Sequence, residues 1–323
     1  MLQEYCTPPG FYDLPYVYVF NPNALFAAPL TVVETIHQIG LIQPVGLNEE
    51  YFILRKIVWT DCGVGPTQTT DPAGQGFQYR DVMGKNSFSD YRPIWGGAGN
   101  SAGHVYVLPV CPEKIYPRQS SISFDLLRTA LNFNGFSAFP VTDADSVPLG
   151  QILFWGIRRM KGENPLRQLQ AGQSEESYTY LKQITVNWFY YNGGVGSGGL
   201  APLVTFTIPV VGWDFELLDI LVKGDQQEPA NTAGTARIRL YDGSQSRIPI
   251  SSAPINLAAI NSLETTSETA GTGYPQGLGA IVPGLVYRDQ SVIYFDLQSL
   301  LSPRDTQSNT ITIMFKGKRR YRA

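Results

Sequence analysis

Charge is what this chain is shortest of. Asp, Glu, Lys and Arg make up 16% of its 323 residues, against the roughly 25% usual in globular proteins, so ionic groups cannot cover much of its surface. Flanks covered by neighbouring molecules are expected instead. Neither sign dominates, since 24 basic and 27 acidic residues leave a net charge of −3. That balance supplies no global field for holding a nucleic acid by counterion release. Histidine is nearly absent. His37 sits in the alternating stretch Thr35 to Ile39, which turns it outward, and His104 follows the glycine-rich stretch Gly96 to Gly103. Neither has an evident partner for acid–base or nucleophilic work, so an enzyme is not expected. Cys6, Cys62 and Cys111 are odd in number and lack C-x-x-C spacing, which argues against a disulfide framework or a zinc site and for buried thiols made in a reducing cytosol. No run of about 18 apolar residues occurs, and Met1 to Cys6 shows no basic region followed by an apolar stretch. Neither a standard secretion signal nor a membrane span is expected.

What is present is turn and strand chemistry. The 16 Phe, 18 Tyr and 5 Trp, set among 32 Gly and 23 Pro, suit many short strands joined by turns. The length exceeds one ordinary core and makes two domains the default. The second half repeats the first. Tyr116, Gln119, Ser120, Ile122, Phe124, Asp125 and Leu126 match Tyr287, Gln290, Ser291, Ile293, Phe295, Asp296 and Leu297, giving Y-x-x-Q-S-x-I-x-F-D-L twice, with seven identities in eleven positions. Phe154-Trp-Gly156-Ile-Arg158-Arg159 matches Phe315-Lys-Gly317-Lys-Arg319-Arg320, so F-x-G-x-R-R closes each half. Weaker matches fall in the same order: Ala28-Pro29-Leu30 with Ala201-Pro202-Leu203, Phe52/Leu54/Ile57 with Phe215/Leu217/Ile220, and Arg80-Asp81 with Tyr241-Asp242. Collinear identities of this kind mark a tandem duplication, and similar strand patterning alone does not reproduce them.

Six strands are legible in each copy. The first copy offers Tyr16 to Phe20, Pro29 to Ile36, Tyr51 to Trp59, Val105 to Val110, Ser121 to Leu126 and Gln151 to Arg158. The second offers Gln183 to Tyr190, Leu203 to Val210, Phe215 to Val222, Ala236 to Tyr241, Val292 to Leu297 and Thr310 to Phe315. With a couple more too irregular to assign, the expectation is an all-β chain of two tandem eight-stranded jelly-roll β-sandwiches. Residues 1–162 would form the first unit with an N-terminal arm, the polar residues 163–177 a linker, and residues 178–323 the second unit. Ile255 to Ala270 fits a short helix or a turn.

Two motifs fail on context. Gly194-Val-Gly196-Ser-Gly-Gly199 fits G-x-G-x-x-G, but a strand beginning at Leu203 follows it, where nucleotide binding needs a helix. Asp143 and Asp145 are too few to hold calcium. No Walker-type phosphate loop occurs. Neither cofactor nor metal is expected.

The basic endings are the remaining candidate site: Arg158, Arg159 and Lys161 in the first copy, and Lys316, Lys318, Arg319, Arg320 and Arg322 in the second. Being equivalent in the repeat, they would emerge from corresponding ends of two barrels and, with the barrels side by side, form one basic face. Such a face could meet phosphates of lipid or nucleic acid at about 1 kcal/mol per cation. Equally, these groups could be solubilising strand ends or salt-bridge partners of a neighbouring subunit.

Two tandem sandwich units, each ending in a strand with a basic pair, resemble the double jelly-roll major capsid proteins of tailless icosahedral viruses, including membrane-containing phages. The resemblance implies a virion structural protein assembled in the host cytoplasm. It implies a homotrimer that self-assembles into a pseudo-hexagonal capsomer and an icosahedral shell, with a vertex protein among its neighbours. Termini would face the interior or an internal lipid membrane, without sequence-specific nucleic-acid contact. Segments ending in F-x-G-x-R-R also resemble β-domains of phage structural proteins more broadly, which leaves an alternative: a minor virion protein, or a spike that binds a host receptor or glycan through aromatics such as Trp95 or Trp213.

Overall fold

The computed structural model describes residues 7–20, 34–40, 49–61, 75–89, 92–93, 104–118, 120–128, 151–162, 175–185, 203–224, 236–260, 281, 284–299 and 310–321. They form two jelly rolls of eight strands each. Unit one contains β1 (Phe11–Phe20), β2 (Glu34–Gly40), β3 (Glu49–Asp61), β4 (Gln75–Tyr79), β5 (Arg92–Pro93), β6 (His104–Pro117), β7 (Ser121–Arg128) and β8 (Gln151–Lys161). Unit two contains β9 (Glu175–Thr185), β10 (Val204–Pro209), β11 (Asp214–Gly224), β12 (Ala236–Leu240), β13 (Ile255–Asn256), β14 (Leu285–Tyr287), β15 (Val292–Ser299) and β16 (Thr310–Arg320). A single helical turn, α1 (Leu257–Ile260), follows β13, in the stretch where a short helix or turn was expected. The two sheets of unit one have the orders β1-β8-β3-β6 and β2-β7-β4-β5, and those of unit two the orders β9-β16-β11-β14 and β10-β15-β12-β13. Counted from the first strand of each unit, the orders are identical, and they are those of a jelly roll.

The elements missing from the sequence reading are β4 and β5 in unit one and β13 and β14 in unit two. Apart from β4 these span two or three residues, too few for a period-two pattern to register. Strand β9 opens at Glu175, inside the stretch read as linker. Its acidic residues looked solvated in sequence but pair with arginines of β16.

The duplication extends to backbone detail. In unit one Phe52 stands opposite Arg158, Leu54 opposite Gly156 and Ile57 opposite Phe154, with a register shift at Arg55. In unit two Phe215 stands opposite Arg319, Leu217 opposite Gly317 and Ile220 opposite Phe315, with the same shift at Leu218. This shared bulge explains the glycine of F-x-G-x-R-R. A Cβ on Gly156 would lie 2.0 Å from the Ile53 carbonyl oxygen and 2.7 Å from the Phe52 ring; on Gly317 it would lie 1.9 Å from the Glu216 oxygen and 2.9 Å from the Phe215 ring. The Y-x-x-Q-S-x-I-x-F-D-L motif is explained likewise. Tyr116 and Tyr287 are fully buried, and their hydroxyls donate to the carbonyls of Arg80 (2.9 Å) and Tyr241 (2.6 Å), which are equivalent residues. Each motif phenylalanine meets that of the other motif, Phe124 with Phe154 at 5.2 Å and Phe295 with Phe315 at 5.0 Å between ring centres.

The units are packed against each other. One continuous apolar cluster joins Val17, Val58, Leu153 and Trp155, on the outer face of unit one's β1-β8-β3-β6 sheet, to Ile250, Ile255, Ala259 and Ile260 of unit two. At the seam the Val17 amide donates to the Ile250 carbonyl, and the Ser252 amide donates to the Val17 carbonyl, both at 2.9 Å. The Val19 amide donates to Ser252 Oγ (2.8 Å), and Gln151 bonds the Pro254 carbonyl and the Asn256 amide.

Cys111 departs from the expected buried thiol: it is exposed. It lies where Leu54 pairs with Lys114 but Lys56 pairs with Pro109, so residues 110–113 of β6 bow out of the ladder. Cys6 and Cys62 lie outside the described residues.

Candidate functional site

In an eight-stranded antiparallel roll, the first strand begins and the last strand ends at the same pole. The Arg-Arg pairs therefore sit at that pole of each unit, beside short connections such as Tyr241 to Pro254 and Arg288 to Ser291 in unit two. Contacts along the seam give the relative direction of the rolls. Moving along β1, Tyr12 is close enough to Asp242 for its carboxylate to help burial hold the phenol above its usual range. Further on, Val17 meets Ile250 and Ser252, and Gln151, beside the far end of β1, meets Pro254 and Asn256. Since Asp242 follows the end of β12 and Asn256 pairs back near its start, the two short-turn poles lie on the same side.

The arginines at these poles do structural chemistry. Arg158 and Arg159 are only 2% and 5% exposed, so neither contributes to a solvent-facing basic surface. The Arg158 guanidinium stacks 3.5 Å from the centre of the Tyr16 ring and donates to the Tyr18 hydroxyl (3.2 Å). Arg159 donates to both carboxylate oxygens of buried Asp13, at 2.7 and 2.8 Å, and to the Tyr51 hydroxyl. The Asp13 carboxylate holds its guanidinium above even the usual arginine range. Burial of these charges is offset by the ion pair and hydrogen bonds of Arg159 and, for Arg158, by ring stacking and its bond to Tyr18.

Unit two repeats the arrangement nearer to solvent. Arg319 lies 4.8 Å from the Trp213 ring centre, 4.9 Å from Tyr178 and 5.3 Å from Tyr321, and its Nε donates to Glu176 (2.9 Å). Arg320 Nε is 2.7 Å from a Glu175 oxygen, and Arg320 also donates to Glu216. Lys318 reaches Glu175 at 3.3 Å, and these cations lower the pKa of Glu175. Lys316 is half-buried, Lys161 is exposed, and Arg322 lies outside the described residues.

The sequence reading missed the partners. Asp13, Tyr16 and Tyr18 on β1 correspond to Glu175, Tyr178 and Tyr180 on β9, because Asp13 stands opposite Arg159 and Glu175 opposite Arg320. Tyr16 and Tyr18 meet edge to face at 4.9 Å, as do Tyr178 and Tyr180. Tyr18 meets Phe52, and Tyr180 meets Phe215, also at 4.9 Å. A repeated acid-x-x-Tyr-x-Tyr ahead of each first strand's centre was the available signal. Trp213 is committed to this cluster and donates to the Tyr180 hydroxyl (3.0 Å).

Of the other candidates, His37 stands opposite Phe124 on β2 and His104 opposite Asp61 at the start of β6. Asp143, Asp145, Trp95 and the Gly194 to Gly199 loop lie outside the described residues. Among the described residues, no group of three His, Cys, Asp or Glu side chains could hold a metal ion. No helix there is long and apolar enough to cross a membrane.

No protein-family model matches the chain, and no curated protein matches it. Solved structures similar to it include PBCV-1 VP54 fitted into a reconstruction of the virophage Sputnik, at 9% identity over 97% of this chain and 95% of that one, with a TM-score of 0.24. Another is infectious bursal disease virus, Gx strain, at 8% identity over 97% and 78%, with a TM-score of 0.18. A third is a putative secreted protein of Parabacteroides distasonis, at 9% identity over 96% and 91%, with a TM-score of 0.19. At these scores the assignment of fold rests on the strand order of the chain itself.

Proposed function

We propose that the chain is a virion structural protein, a major capsid subunit that assembles as homotrimers into an icosahedral shell, without catalytic activity. The observation that carries this reading is the pairing of two jelly rolls side by side with their short-turn poles on the same side. Such a double unit is a rigid block with one outward and one inward end. Three blocks would enclose a closed ring of six similar rolls, a lateral tile for a shell. The low charge content suits the wide lateral contacts of such a tile, since desolvating ions at an interface gains little. The division into units on either side of residues 163–177 is part of this proposal, with the second unit moved back to open at Glu175.

The short-turn pole is assigned to the particle interior. It carries Lys161 and Lys318 together with the exposed apolar turns Val82-Met83 and Val211, a combination suited to lipid headgroups or genome. With Arg158 and Arg159 buried and Lys318 paired with Glu175, the cationic part of that face rests on Lys161.

Electron microscopy of the purified protein and its particles tests both parts. Trimers of pseudo-hexagonal outline, with the short-turn pole inward, are expected, and a dilute monomer under every assembly condition would overturn the reading. Saturable binding of that monomer to cells or glycans would point instead to the minor or spike protein.

A further inference from the structure

The edge strands of the two equivalent sheets are treated differently, and the difference identifies a contact. Strand β1 is the edge of the β1-β8-β3-β6 sheet, and its open side is closed by unit two, through a parallel bridge between Val17 and Ser251. Strand β9 is the edge of the equivalent sheet. Among the described residues, none bonds to the backbone of its free side. Every second residue from Glu175 to Gln183 is exposed. An edge of this length without a strand partner among the described residues invites another strand.

The outer face beside that edge keeps the apolar row that the seam uses in unit one. There, Val19 stands opposite Leu153, and Leu153 opposite Val58. At the equivalent positions Leu181 stands opposite Met314, and Met314 opposite Leu221. Leu181 is 62% exposed and Met314 part-exposed, while Leu221 at the inner end of the row is already buried; such exposure is unusual for leucine on a strand otherwise faced with polar side chains. The next row has changed from Val17, Trp155 and Lys56 to Thr179, Lys316 and Asp219, so the face is apolar at one level and polar at the next. That is the composition of a surface that must be soluble before it is covered.

The piece that would cover it is also in the chain. Residues 250–252, which close β1, follow β12; the equivalent stretch after β4 is Ser87 to Ser89. The match is fixed by the same bond in both units: the Ser87 amide donates to the Tyr79 carbonyl (2.9 Å), and the Ile250 amide to the Leu240 carbonyl (3.0 Å). Ser252, whose Oγ accepts the Val19 amide, corresponds to Ser89, which is a serine too and is exposed.

We infer that the edge of β9 and the Leu181–Met314 end of that row dock the Ser87–Ser89 segment of a second copy of this chain, repeating between chains the seam that joins the two units within one. The inference rests on the shell-subunit reading and specifies its lateral contact. The Thr179 amide would donate to the Ser87 carbonyl, and the Leu181 amide to Ser89 Oγ. Because the two surfaces differ, the contact is head-to-tail and propagates around a ring.

The test is disulfide trapping with mass measurement. Under oxidation, Leu181→Cys/Ser89→Cys is expected to give covalent oligomers that wild type, with its native cysteines, does not give. Leu181→Lys, on an exposed side chain, is expected to raise the protein concentration needed for assembly about tenfold or more with an unchanged melting temperature. Thr179→Pro, which removes only the edge donor, is expected to do the same. If wild type assembles but both substitutions assemble normally and no cross-link forms between chains, this contact is wrong while the shell reading stands. If wild type never associates, both fall.

Discussion

Strands β8 and β16 carry the same F-x-G-x-R-R motif in the same register, yet β8 is buried at every position from Gln151 to Met160 while β16 alternates between buried and part-exposed from Thr312 to Lys316 and is part-exposed or exposed at every position from Gly317 to Arg320. The difference lies in what each sheet has on its outer side. The inner faces, Phe154 and Gly156 against Phe315 and Gly317, answer to a core that is the same in both units. The outer faces answer to different neighbours: Trp155 packs in the seam with unit two, and its counterpart Lys316 does not. Duplication preserved what folds each roll, and divergence followed what each roll touches.

The sharpest way to break this comparison is at the glycines, where the two units should behave alike. Gly156→Ala and Gly317→Ala each drive a methyl into a bulge carbonyl that cannot move aside. Both substitutions are expected to destabilise by about 3 kcal/mol or more, seen as loss of soluble protein or a lowered denaturant midpoint. A wild-type midpoint for either would show that the bulge is not fixed by its ladder.

The second arginines should behave differently. Arg159→Ala leaves Asp13 buried without its cation, a loss on the order of 3–5 kcal/mol. Arg320→Ala leaves Glu175, 41% exposed, to water and Lys318, and takes the same cation from Glu216, a carboxylate 13% exposed, so a smaller loss, on the order of 1–2 kcal/mol, is expected. Urea denaturation of the two variants side by side checks the ratio. Equal losses would mean that the buried and exposed poles are energetically equivalent, contrary to the structure.

The inner faces were legible in the sequence because the duplication wrote them twice. The Phe, Gly, Tyr and Ile identities mark core, bulge and the buried tyrosine bond, and the register they imply is the one found. The fate of the arginines was not legible. A basic pair at a strand end looks solvated, and what buries Arg158 and Arg159 lies 140 and 146 residues away, in Tyr18 and Asp13. The acid that answers each second arginine is Asp in one unit and Glu in the other, so identity matching passed over it. Strands β5 and β13 escaped for a simpler reason: two residues each are held by neighbours rather than by any pattern of their own.

The smallest expected effect belongs to the aspartates that open the turns after β4 and β12. Asp81 Oδ1 accepts the Met83 and Lys85 amides, and Asp242 Oδ1 accepts the Ser244 and Ile248 amides and the Ser244 hydroxyl. The role is shared, but Asp242 is buried, with Tyr12 of unit one nearby. Burial raises its pKa above the ordinary 3.8, although its hydrogen bonds pull the other way. A carboxyl group raised in the folded state favours folding most when protonated, and that advantage is lost as pH climbs from about the unfolded value through the folded one. Asp242→Asn keeps the accepting oxygen and removes the titration. Wild type should therefore lose stability relative to Asp242→Asn as pH rises through that window, with the gap constant above it, when denaturation midpoints are followed against pH. A gap that does not change with pH would mean that the turn amides fully offset the burial of this carboxylate at the seam.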